Sequence, residues 1–198
     1  MKDLKGASIC VIQGTSTEKT LADYFNSRGM AYEPVSFADA DAVAQAYLGG
    51  RCDALTSDQS QLTAVRSLTP DPGAHVILPE IITKEPLSPA VRGGDETWAN
   101  VVRWSFYAMV EAEELGLSSK NVIGMARSST DPAVQRFVGR IDGLGPMLGL
   151  DKEWAVRIVE QVGNYAESYD RNITPIGLAR GVNRLWRDGG YLITPPVR

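Results

Sequence analysis

The feature that most constrains the fold is an alternation of apolar strands and amphipathic helices in the first seventy or so residues. Residues 7–13, 31–37 and 52–57 read as strands, each closed by Gly or polar residues. A helix is predicted after each strand, over 15–28, 39–48 and 59–68, and in the first of these the apolar side chains recur at helical spacing. Strands joined by single helices form right-handed βαβ crossovers and a parallel sheet. The pattern therefore predicts an α/β fold.

The second half of the chain has a different sequence pattern, which predicts mainly helices. A further strand at 75–78 and a short extended stretch at 87–92 complete the α/β part. An apolar stripe then predicts a long helix over 98–116. Shorter helices are predicted at 132–138, 152–162 and 178–186. The expected organisation is an α/β lobe at 1–92 followed by a helical C-terminal region at 93–198.

Composition excludes several function classes. The net charge of −4 is spread without basic blocks, which argues against nucleic-acid binding. Charged residues interrupt every long apolar run, so no membrane span is predicted. The first residues lack the apolar core of a secretory signal, so the chain as written is expected in the cytoplasm. No metal, cofactor or catalytic triad is predicted, because the single histidine, His75, lies in an apolar stretch and two cysteines do not make a zinc site.

One candidate binding loop leaves the first strand and opens the next helix. It contains Gln13, Gly14, Thr15 and Ser16. A helix N-terminus presents unpaired N–H groups and a partial positive charge, which together accept a carboxylate or phosphate. Gly14 permits close backbone approach, and the two hydroxyl groups add donors. The alternative is a capping box between Thr15 and Glu18, which needs no ligand.

A second candidate, Asp58, follows the third predicted strand at the same rim of the sheet. Its carboxylate suits a ligand ammonium group, and the alternative is an N-cap for the helix that begins at Gln59. Open parallel sheets hold ligands at the carboxyl ends of their strands. An anion-accepting loop beside a cation-accepting carboxylate suits a zwitterion such as an α-amino acid.

The two cysteines leave two interpretations open. Cys10 and Cys52 lie in the first and third predicted strands. They are either two buried thiols, as is usual in the cytosol, or a disulfide if the two strands are neighbours.

Several segments resemble the general L-amino-acid-binding proteins, which are the periplasmic receptors of ABC importers for polar amino acids. The resemblance extends from about residue 3 to the C-terminus, and the tail is its most specific part. The segments that carry it are 9–18, 50–58, 88–95, 98–116, 163–167, 180–186 and 195–198.

The resemblance implies a lobe of the type II periplasmic-binding-protein fold, with the first strand between the second and third. It implies that Gly14, Thr15 and Ser16 bind the ligand through N–H and hydroxyl groups, and that Asp58 binds its α-ammonium. The family usually has Thr where Ser16 stands. The resemblance also implies an ABC permease as partner and a periplasmic location. This receptor fold also hosts dehydratases, but an enzyme is not expected here, because the chain offers no convincing acid–base pair.

The resemblance also has implications for the two cysteines and for how much of the family's ligand site this sequence contains. Cys10 and Cys52 sit where the family has cysteines, which adds support for a disulfide. In the family, a first lobe precedes the position that matches Lys2 and supplies the arginine for the ligand carboxylate. The expectation is a truncated amino-acid-binding protein that retains one half of a polar L-amino-acid site, with weak or lost binding.

The alternative is a dimeric assembly protein built on a lobe that no longer binds amino acids. Apolar residues that would pack on the first lobe are expected to be exposed and to form a homodimer interface. They are Trp98, Val101, Phe106, Met109, Trp154 and Trp186.

Overall fold

The structure, a computed structural model that describes residues 1–197, divides the chain into two compact units. Unit 1 comprises Met1–Leu87, and unit 2 begins at Ser88. The boundary therefore lies slightly before the one drawn from sequence at residue 92. Across residues 1–197, no helix combines the length and apolarity that a bilayer span requires.

Unit 1 is built on a three-stranded parallel sheet. Strands β1 (Ser8–Ile12), β2 (Glu33–Phe37) and β3 (Ala54–Leu55) lie in the order β2-β1-β3. This confirms the predicted parallel sheet with the first strand in its centre. The helices are α1 (Ser16–Asn26), α2 (Ala40–Leu48) and α3 (Gln59–Ser67).

The central strand explains how unit 1 is packed. Ile9, Cys10 and Val11 are all buried, as expected for a parallel strand covered on both faces. Successive side chains of a strand point to opposite faces. Accordingly, Ile9 packs in one cluster with Leu21 and Phe25 of α1, while Cys10 packs in another with Val43 and Ala46 of α2.

Unit 2 is helical and has one continuous core. Its helices are α4 (Glu96–Glu114), α5 (Val122–Ser128), α6 (Pro132–Phe137), α7 (Trp154–Val162) and α8 (Tyr165–Asn172). Ala108 and Ala112 of α4 pack in this core with Phe137 and Val159. Small residues on α4 allow its neighbours to approach closely.

The C-terminal tail is tied to α4 by polar contacts. Arg180 forms a bidentate pair with Glu113, with N···O distances of 2.7 and 3.0 Å, and both side chains are largely buried. The Val197 N–H donates to the buried carboxylate of Glu111 at 2.5 Å. Gly190 lies in the tail between these two contacts. Glycine is required there, because a Cβ would lie 1.8 Å from the Arg184 carbonyl oxygen.

Three sequence-based predictions about these elements are wrong. Residues 75–78 belong to no strand, because no neighbouring strand within residues 1–197 pairs with their backbone. Residues 178–186 form no α-helix but contain the short 3₁₀ turn Gly181–Asn183, in a segment held by the Arg180 pair. Trp154, expected at an exposed interface, is only 4% exposed and packs in the core of unit 2.

Candidate functional site

The residues that follow β1 and β3 line one depression at the carboxyl edge of the sheet. Its volume is about 180 Å³. Thr15, Ser16 and Asp58 are among the lining residues, so the structure brings both sequence candidates together. The other lining residues are Ile12, Thr17, Thr56, Ser57 and Gln61.

The Thr15 side chain is engaged in capping α1. Its Oγ1 accepts the Glu18 N–H at 3.2 Å and donates to the Ile12 carbonyl at 2.8 Å. The Glu18 carboxylate in turn accepts the Gly14 N–H at 2.6 Å, where a capping box would engage the Thr15 N–H. The capping interpretation therefore holds for Thr15 itself. Since a hydroxyl has one hydrogen, Thr15 has none left for a ligand.

The free donors of this loop are backbone groups. Within residues 1–197, the N–H groups of Ser16 and Thr17, the first two residues of α1, have no protein acceptor. Such first-turn N–H groups are the orphan donors of a helix and carry its partial positive charge. The chemistry of this side of the depression thus suits an anionic oxygen.

Only one of the two carboxylate oxygens of Asp58 accepts hydrogen bonds from the described residues. Its Oδ1 accepts the Gln61 N–H at 2.9 Å and the Ser60 hydroxyl at 2.5 Å, which caps α3. No group in the described chain donates to its Oδ2. The N-cap interpretation is therefore correct for one oxygen and leaves the other able to accept a ligand N–H.

Two candidates from sequence lie beside the depression without lining it. Gln13 is exposed, and its N–H continues the sheet by donating to the Phe37 carbonyl. Gly14 has φ of +77°, which explains the choice of glycine. Thr56 and Ser57 do line the depression, and their position just before Asp58 at a strand end was a usable signal.

Glu85 contacts the lining residue Ser16 without itself lining the depression, and the sequence analysis did not single it out. Its Oε1 accepts the Ser16 hydroxyl at 3.0 Å and the Thr83 hydroxyl at 2.9 Å. Glu85 and Ser16 are 69 positions apart, and no spacing or motif links them in a single sequence.

A disulfide crosses the sheet away from this depression. The structure joins Cys10 of β1 to Cys52, with Cα atoms 5.7 Å apart. Cys52 precedes β3 and does not lie within it, because β3 is shorter than the predicted strand. The bond is therefore near the amino end of β3, opposite to the rim that carries Asp58.

A larger depression, of about 290 Å³, lies in unit 2. Apolar side chains including Leu150, Trp154 and Ile158 form much of its wall. Among residues 1–197, no cluster of three or more His, Cys, Asp or Glu side chains is arranged to hold a metal ion. The polar rim of unit 1 is therefore the better candidate site.

No protein-family model matches the chain, but similar proteins do. A putative amino-acid ABC transporter-binding protein of Escherichia coli, YhdW, is 46% identical over 200 residues. The general L-amino acid-binding periplasmic protein AapJ of Rhizobium johnstonii is 47% identical over 201 residues. The chain is homologous to the amino-acid-binding proteins of ABC transporters. A third such homologue, 46% identical, is the glutamate/glutamine/aspartate/asparagine-binding protein BztA of Rhodobacter capsulatus.

A solved structure shows the same fold. The periplasmic binding protein of an ABC transporter from Brucella ovis, with glutathione bound, has a TM-score of 0.93 and 48% identity over 99% of this chain. This confirms the predicted periplasmic-binding-protein fold. These homologues are substrate-binding proteins and not enzymes, in agreement with the sequence analysis.

The match covers this chain almost completely and the homologues only in part. The chain spans 59% of the length of each of the three amino-acid-binding homologues and 62% of the solved chain. This partial coverage agrees with the interpretation of the chain as one lobe and tail of a larger receptor architecture.

Proposed function

We propose that unit 1 carries one half of a polar L-amino-acid site of an ABC-transport binding protein. The observation that carries the proposal is the single depression in which the amino end of α1 and Asp58 meet. The N–H groups of Ser16 and Thr17 bind the ligand carboxylate, and Asp58 Oδ2 accepts from its α-ammonium. BztA is named for glutamate, glutamine, aspartate and asparagine, which makes these four the first ligands to test.

The same homology supports the cellular setting. AapJ is named as a periplasmic protein, and a disulfide persists in that oxidising compartment. We infer that the chain works in the periplasm and delivers its ligand to the permease of an ABC transporter. Binding by these residues alone is expected to be weak, because they supply only one half of the proposed site.

Replacement of Asp58 by Asn tests the site directly. Asn also caps helices well, so the variant keeps α3 while it removes the negative charge that receives the ammonium. We expect L-glutamine binding to weaken about tenfold or more, since a charge-assisted hydrogen bond is lost. An NMR titration of the labelled chain measures this, because it detects millimolar affinities.

Asp39 provides the matched control. It caps α2 through Oδ1, which accepts the Ala42 N–H at 2.8 Å, and it does not line the depression. Asp39→Asn is expected to bind L-glutamine as the unchanged chain does. Equal losses in both variants, or none in Asp58→Asn, would refute the proposed role of Asp58.

Self-association is the second candidate, and exposed tryptophans favour it. Trp98 is 54% and Trp186 56% exposed in unit 2, and Trp is enriched at the centres of interfaces. Trp154 no longer belongs to this candidate surface, since it is buried. We propose a homodimer through the face that carries Trp98. Light scattering at micromolar concentration tests it, and a single 21.5 kDa species would exclude it.

A further inference from the structure

Glu85 places a second carboxylate beside the candidate site. Its Oε1 accepts the hydroxyl of Ser16, and Ser16 lines the depression together with Asp58. No lysine or arginine is among the lining residues. Among the residues that line the depression, the positive contribution opposite these carboxylates is the partial charge at the amino end of α1, which amounts to roughly half an elementary charge.

The contact also fixes what Ser16 can do. A serine hydroxyl has one hydrogen and two lone pairs, and the hydrogen is donated to Glu85. In this arrangement Ser16 is able to accept from a ligand but not to donate to a ligand carboxylate. Among residues 1–197, no group donates to Glu85 Oε2, so this oxygen is able to accept a ligand N–H.

We propose that Glu85 sets the charge preference of the half-site, so that it binds the amides L-glutamine and L-asparagine in preference to the acids L-glutamate and L-aspartate. This rests on the proposed function of the depression and adds a ranking among its ligands. An amide side chain offers N–H donors to Glu85 or Asp58. An acidic side chain of the same length offers only oxygen acceptors and adds a third negative charge.

The size of the preference follows from Coulomb's law. Like charges roughly 6–8 Å apart at a partly solvated surface disfavour binding by a factor of about three to ten. L-Glutamine and L-glutamate share their α-groups and their length, so the ratio of their dissociation constants isolates the side-chain charge. The chain is expected to bind L-glutamine about three to ten times more tightly than L-glutamate.

Glu85→Gln is the decisive variant. It keeps an acceptor for the Ser16 hydroxyl and removes the charge, so the ratio is expected to fall towards one, chiefly because L-glutamate binds more tightly. Glu33→Gln is the matched control. Glu33 is exposed and is the first residue of β2, at the end of the strands opposite to the depression. Its substitution removes the same net charge without touching the site. NMR titrations of the three chains with both amino acids give the ratios.

A second measurement needs no variant. Raising the salt concentration of the unchanged chain from about 0.02 to 0.5 M screens surface charges, so the preference for L-glutamine is expected to shrink. A preference for L-glutamate, a ratio that survives in Glu85→Gln, or an equal change in Glu33→Gln would each overturn the proposal for Glu85 while amino-acid binding stands. If neither amino acid binds any of the three chains at millimolar concentration, the proposed function itself fails, and the ranking fails with it.

Discussion

The two units of the chain differ in the interactions that stabilise them. Unit 1 buries two small clusters, one on each face of its sheet, and adds a disulfide. Unit 2 buries one continuous cluster drawn from all of its helices except α8 and fixes its turns with polar contacts. Small units seldom gain enough from apolar burial alone. The sheet unit thus contains a covalent cross-link and the helical unit does not, and we expect the stability of the sheet unit to depend on that bond.

Removing the disulfide is the strongest way to break this comparison. With Cys10 and Cys52 both replaced by Ala, unit 1 is expected to lose about 2–4 kcal/mol of its free energy of unfolding, since the cross-link closes a long loop. Unit 2 is expected to keep its stability. Hydrogen exchange of the β1 amides reports on unit 1. The four tryptophans, Trp98, Trp104, Trp154 and Trp186, all lie in unit 2, so their fluorescence reports on that unit.

A reducing agent supplies the control for the double variant. It should speed exchange in β1 of the unchanged chain and have no effect on the chain that lacks both cysteines. If the tryptophan fluorescence midpoint in denaturant falls as far as the stability of β1, the two units unfold together, and the contrast drawn between them is wrong.

A smaller effect on stability is expected from the polar contacts of unit 2. The Glu167 carboxylate accepts the Asn164 N–H in a capping box and the Ser119 N–H and hydroxyl. Partial burial raises the pKa of Glu167, but hydrogen bonds from Ser119 and Asn164 and the charge of Lys120 lower it more, so the pKa lies below that of an ordinary glutamate. Glu167→Gln is expected to cost about 1–2 kcal/mol near pH 7.

The pH dependence of this effect has a definite sign. Because folding lowers the pKa of Glu167, its contribution is complete above the pKa of an unfolded glutamate, about 4.3, and is lost as pH falls through the folded pKa. The difference in tryptophan-monitored stability between the two chains should therefore shrink below about pH 4.5. Glu160→Gln is the control, since Glu160 is exposed on α7. A difference that stays constant down to pH 3 would contradict the assignment.

The sequence was most informative where secondary structure is decided locally. The sequence pattern located β1 and helices α1, α2, α3 and α4 to within a few residues. Burial of apolar side chains accounts for this in β1, α1 and α4, whereas in α3 the buried residue is Thr63. Asp58 marked the start of α3, since its side chain caps that helix.

Prediction failed where a distant contact decides the structure. Residues 75–78 carry a strand-like pattern, but a strand also needs a neighbour, and the pattern does not reveal one. The Arg180 side chain binds Glu113, 67 positions away, and the segment around it turns where helical spacing suggested an α-helix. Glu85 was missed for the same reason, since its link to Ser16 exists only in three dimensions.

The divided carboxylate of Asp58 has a consequence for the entropy of recognition. A free aspartate must give up rotational freedom when it grips a ligand, and immobilising a flexible side chain costs about 0.5–1.5 kcal/mol. In Asp58 that freedom has already been lost during folding, because Oδ1 is bound to the first turn of α3. Under the proposed function, an ammonium group that reaches Oδ2 would meet an acceptor that helix formation has already oriented.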